Sequence, residues 1–159
     1  FIVLNKRGTH FIYEDVYPKG ATVWKPVPET IEEFENNPDL TANSYDNAIL
    51  FNVNGFFEEL FPNSENLPQY TQNTIYIYTS DHAETLYEDG ATSSHCSGTK
   101  VETQVPLVII GKLQVNIDTK YKASHSNIFP TILDLMNVPK EIRIHPYSRS
   151  LLKAKESDS

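Results

Sequence analysis

The chain has 159 residues, 39% of them apolar and 11% aromatic, enough to bury one sizeable core and too few for two full domains of ordinary size. Its formal net charge of −8, with no Lys/Arg excess to offset it globally, argues against a nucleic-acid partner, because phosphate backbones would be repelled. A single cysteine, Cys96, excludes an internal disulfide framework, and no apolar run is long enough to span a bilayer.

The opening run Phe1-Ile2-Val3-Leu4 predicts a buried strand, as though the chain entered at a core strand of a larger domain. The next residues, Asn5 to His10, read as a loop leaving its C-terminal end, with Gly8 giving the backbone freedom to turn. Four prolines between Tyr13 and Asp39 predict an irregular surface excursion with at most a short helix around Thr30 to Glu35. From 43 to 61, Tyr45, Ile49, Val53, Phe56, Phe57 and Leu60 share a helical face, with Asn43 or Ser44 as the cap. A loop at Pro62 to Pro68 leads to Ile75–Thr79, β-branched and aromatic throughout, which predicts a strand buried on both faces.

A polar stretch from Gly90 to Glu102 precedes a second strand, Val105 to Ile110, ending at Gly111. Ile128 to Met136 reads as a helix capped by Ser126 or Asn127, with Pro130 accommodated in its first turn. The tail from 153 to 159 is polar and is expected to fray. Strands alternating with helices predict an α/β fold with a mainly parallel central sheet flanked by helices, occupying residues 1–152, and ligand sites beyond the carboxyl ends of its strands.

Chemistry concentrates at Ser80-Asp81-His82-Ala83-Glu84, where a carboxylate and an imidazole follow immediately after a buried strand. A hard oxygen beside a borderline nitrogen suits zinc or manganese better than calcium, although a capping Asp next to an exposed His has the same sequence. His95 lies in a Gly/Ser/Thr-rich loop 13 residues beyond His82, and His10 lies on the earlier loop; either can be a solvated loop histidine or a donor to phosphate oxygens. Cys96 reads as a small loop residue, because neither a base nor a helix N-terminus adjoins it. His125 reads as a helix-start residue, His145 as structural or exposed, and Asp46 as a carboxylate favouring a helix N-terminus.

The succession His10, Tyr17-Pro18, Asn43-Ser44-Tyr45-Asp46-Asn47, Ser80-Asp81-His82-Ala83-Glu84, His95, Val105-Pro106-Leu107, Ser124-His125 and Pro130-Thr131-Ile132-Leu133-Asp134-Leu135 resembles the C-terminal half of the bacterial lipid A phosphoethanolamine transferases and their relatives in the alkaline phosphatase and sulfatase superfamily. Asn5 stands where the family usually has a further histidine, and Ala83 where it has glycine. The resemblance implies that Asp81 and His82 ligate a catalytic zinc, or manganese or calcium in a sulfatase relative. It implies that His10 and His95 contact the substrate phosphate or a second metal. It further implies a phospholipid head-group donor, a lipid A or glycan acceptor, a phospho-enzyme intermediate and a location at the periplasmic face of the bacterial inner membrane. The nucleophilic threonine, a metal-binding glutamate and a membrane anchor are expected upstream of Phe1, which would leave this chain inactive alone. A sulfatase or phosphodiesterase of the same fold, and a non-catalytic module with a degraded site, are the alternatives.

Overall fold

Thr30 and Asn37 each offer a side-chain oxygen to a backbone amide three residues on, and each starts a helix: α1 (Ile31–Asn36) and α2 (Pro38–Ile49). The computed structural model describes residues 1–62, 69–92, 95–144 and 147–158, which divide into two units, Phe1–Gly111 and Lys112–Ser159. In the first, α2 runs on through a π-helical turn, Leu50–Asn54, into α3 (Gly55–Leu60). The helix therefore starts earlier than the apolar spacing indicates. Asn37 caps it, Pro38 suits its first turn, and the residues expected to cap it serve elsewhere: Asn43 donates to the Pro26 carbonyl at 2.9 Å and Ser44 meets the Tyr17 hydroxyl at 3.0 Å.

The core of this unit is aromatic. Tyr13, Tyr17, Phe34 and Ala48 are buried together, with Phe11, Val16, Tyr45 and Leu86 packed around them. Tyr13 lies 5.5 Å from Phe34 and 5.1 Å from Tyr45 between ring centroids, so the segment after His10 is pinned against α1 and α2. Lys6 fixes the preceding residues by donating to the Asn52 carbonyl at 2.7 Å and lying 3.9 Å above the Phe56 ring.

Strands β1 (Tyr76–Thr79) and β2 (Leu107–Ile110) pair antiparallel, with Tyr76 opposite Ile110 and Thr79 opposite Leu107. Phe57 and Phe61 of the α3 segment meet Tyr78 and Tyr76 at 5.0 and 5.3 Å. The expected mainly parallel central sheet is not present: the described residues hold one sheet of two antiparallel strands, partly rather than fully buried. Phe1 to Leu4 form no strand, and their side chains are 73% to 84% exposed. Apolar, β-branched composition expresses an affinity for a buried pleated surface, but a strand also needs a neighbour to accept its ladder bonds, and no described residue supplies one here. The expected loop at 63–68 lies outside the described residues.

The second unit is organised by α4 (Ile128–Leu135). Its N-cap residue is Asn127, one of the two expected, and Ser124 and Asn127 form a capping box around the 3-10 turn His125–Asn127 that leads into it. The buried Asn127 also donates to the Arg149 carbonyl at 2.8 Å, and the buried Thr131 hydroxyl accepts from the Leu151 amide at 2.8 Å, clasping the returning segment. The polar tail carries two hydrogen-bonded ties. Asp158 accepts from Arg149 at 2.6 Å, and Asp118 accepts from the Glu156 amide at 3.0 Å.

Candidate metal and phosphate site

The antiparallel pairing decides where the chemistry gathers. Because Thr79 lies opposite Leu107, the segment leaving β1 runs beside the segment entering β2, and the Ala83 amide donates to the Glu102 carbonyl at 2.9 Å. The Glu102 carboxylate completes the join, accepting from the Thr85 hydroxyl at 2.9 Å and from the Ser97 and Gly98 amides at 2.9 and 3.2 Å. Burial works to raise the Glu102 pKa, but these hydrogen bonds outweigh it and hold the carboxyl below its ordinary range. His95 is thereby carried to His82. A parallel pairing would have put the two loops at opposite ends of the strands.

The rings of His82 and His95 lie 4.6 Å apart between centroids, and those of His10 and His95 5.5 Å apart. Three histidines separated by up to 85 positions thus share one locus. His82 Nδ1 lies 3.0 Å from the Ala83 carbonyl, a contact that fixes a proton on Nδ1 and leaves the Nε2 lone pair for a ligand. His10 Nδ1 is likewise turned to the Phe11 carbonyl.

Two carboxylates flank this pair. Asp81 is on the outside, its side chain 88% exposed and Oδ2 3.9 Å from His82 Nε2. Its other oxygen accepts from the His82 amide at 3.1 Å; burial works to raise its pKa, but this bond, with the Ser80 hydroxyl, leaves it below the usual carboxylate range. Glu84 is on the inside, its side chain only 6% exposed and Oε1 3.4 Å from His95 Nδ1. Tyr13, itself fully buried, donates to Glu84 Oε2 at 3.2 Å. Burial, with the Glu84 charge adding to it, pushes the neighbouring Tyr45 hydroxyl up in pKa despite its bond to Thr9.

The donor set fits a metal ion. Ligand atoms of His82, Glu84 and His95 all lie within 4.8 Å of one another, against the roughly 3.4 Å expected between two ligands on one tetrahedral zinc. His95 Nδ1 is within ion-pair reach of Glu84 but not in hydrogen-bonding geometry, so it is a buried nitrogen with no hydrogen bond. Such an atom needs a partner, and an ion placed between the three groups provides one. Sequence reasoning quoted Glu84 within its motif but gave it no role. The pointer was there: a carboxylate two residues from a candidate ligand, on the same short segment.

Comparison with known proteins adds the family. The sulfatase family model matches residues 1–138. This chain belongs to the sulfatase family. It is 28% identical over 130 residues, 80% of its length, to a Kdo(2)-lipid A phosphoethanolamine 7''-transferase of Salmonella typhimurium, and 26% identical over 126 residues to the Escherichia coli protein of the same description. It is 36% identical over 78 residues, 48% of its length, to arylsulfatase K of Bos taurus. The matches cover 21%, 20% and 14% of those relatives, so the sulfatase-family chain described here spans about a fifth of the transferases' length. The family implies an alkaline phosphatase-like α/β fold, and no helix among the described residues is long and apolar enough to cross a membrane.

Proposed function

We propose that this chain forms the metal-binding and phosphate-binding wall of a phosphoethanolamine transferase, with the nucleophile contributed by residues outside it. The observation that carries this reading is the meeting of His10, His82 and His95 with Glu84 at one locus, in a chain similar over most of its length to two transferases of that description. His82 presents Nε2 to the metal, with Asp81 on its outer side and Glu84 on its inner side. Zinc bound there supplies positive charge that favours ionisation of a hydroxyl nucleophile and balances charge on phosphate. His10 and His95 direct ring N–H groups at the non-bridging oxygens, where negative charge grows as phosphorus becomes five-coordinate. Tyr13 holds the Glu84 carboxylate in place beside His95. On this reading the donor is a phospholipid head group, the acceptor lipid A or a glycan, and the reaction runs at the periplasmic face of the bacterial inner membrane.

The identity to arylsulfatase K favours a second reading, sulfate-ester hydrolysis at the same site. One experiment separates them. A protein carrying this chain together with its nucleophile is incubated with phosphatidylethanolamine and lipid A, and in parallel with an aryl sulfate. Addition of phosphoethanolamine to lipid A by mass spectrometry, lowered about 10²-fold or more by His82→Ala or His10→Ala, is the expected result. Aryl sulfate hydrolysis without transfer selects the second reading, and transfer indifferent to both substitutions defeats the site assignment.

A further inference from the structure

We infer that the second unit carries an anion site for a phosphate group, built from residues other than those of the histidine cluster and independent of the function proposed above. The first unit has five Lys/Arg against sixteen Asp/Glu, whereas Lys112–Ser159 has eight against five, so positive charge is concentrated in the smaller unit. Within it lies a cavity of about 350 Å³, the size of a small-ligand pocket, whose lining includes Lys140, Arg143, Tyr147, Arg149, Lys153 and a single carboxylate, Asp134.

The carboxylate does not saturate the cations. Asp134 accepts from Arg143 Nη2 at 2.7 Å and from Lys153, and these bonds hold both side chains in place. Arg143 spends its Nε and the rest of Nη2 on the Val138 carbonyl, which leaves the Nη1 hydrogens without a partner among the described residues. Arg149 is paired through Nη1 with Asp158 and is still 54% exposed. The Lys140 side chain is exposed and makes no ion pair or hydrogen bond among the described residues, whereas its backbone carbonyl accepts from the Arg143 amide at 3.1 Å. Four cations against Asp134 and Asp158 leave an excess of two positive charges, the charge of a phosphate monoester dianion. A fixed guanidinium with a free edge beside a mobile ammonium is a donor arrangement suited to phosphate oxygens.

The test uses the full chain, metal-free, in low salt. Inorganic phosphate is titrated while backbone amide shifts are followed by NMR, and co-sedimentation is measured with phosphatidylcholine vesicles containing phosphatidic acid against phosphatidylcholine alone. The expected result is a salt-sensitive response of the amides of 140–143 and 147–153 to phosphate, or of the chain to phosphatidic acid vesicles, weakened about tenfold or more in Lys140→Ala/Arg149→Ala. Lys140→Glu, at an exposed position, should weaken it with an unchanged melting temperature, and Lys140→Arg should retain it. A response to phosphate alone assigns the site to a soluble phosphate ester, and a response to phosphatidic acid vesicles alone assigns it to a lipid head group. No response in either arm, or a response unaltered by the double substitution, overturns the inference.

Discussion

At Glu84 a carboxylate has been placed where its charge must be compensated from within the fold. Tyr13 supplies one hydrogen bond, and His95 Nδ1 lies 3.4 Å from the other oxygen. Tyr13→Phe should therefore destabilise the chain by about 1–3 kcal/mol in urea unfolding, the usual cost of leaving a buried acceptor short of a partner. Glu84→Gln, which keeps shape and removes charge, should weaken zinc binding measured by calorimetry at least tenfold on the proposed reading, and unchanged affinity would remove Glu84 from the ligand set. Asp134 gives a pH test in the other unit. Burial opposes its ionisation, but Lys153 and Arg143 outweigh that and bring its pKa down to about 2. A depressed carboxyl contributes stability in full above its unfolded value, about 3.9, and loses that contribution as pH falls through the folded value. Melting temperature should therefore drop between about pH 4 and pH 2, and Asp134→Asn should lower it near neutrality while flattening that acid limb.

Among the elements, α4 was legible because its apolar spacing and its cap, Asn127, agree, whereas α1 was legible only as a short helix around Thr30 to Glu35, without its cap. The long helix was legible in its apolar face but not in its start, since Asn37 and Pro38 lie in a proline-rich stretch that reads as irregular on composition. Nothing in a single sequence announces the π-helical turn at 50–54. It accompanies contacts made by Asn52, whose side chain donates to the Val16 carbonyl at 2.8 Å while its own carbonyl takes Lys6. Gly111 ends β2 at φ +141°, and an added Cβ would sit 2.6 Å from the Thr74 carbonyl oxygen and 2.9 Å from Ile75 Cδ1. Gly111→Ala should cost about 1–3 kcal/mol or more and loosen the β1–β2 pair, measurable by denaturant unfolding; a neutral outcome would mean the strand end can shift aside.

For the molecule as a whole, the sequence conveyed the family and the histidine cluster but not the sheet. Strand direction depends on partners, and the apolar runs of β1 and β2 look the same whether they pair parallel or antiparallel. The histidines were legible because Asp81-His82, His10 and His95 stand in a familiar order, whereas Glu102 was not, being one acid among many until three donors are seen to converge on it. The Glu102 carboxylate has a consequence in time as well as in space. It accepts from the Ser97 amide through Oε1 and from the Gly98 amide through Oε2, so an opening that swings the carboxylate away exposes both amides together. The two amides should exchange with deuterium through a shared opening, with similar rates, and Glu102→Ala, which removes both acceptor oxygens, should accelerate both.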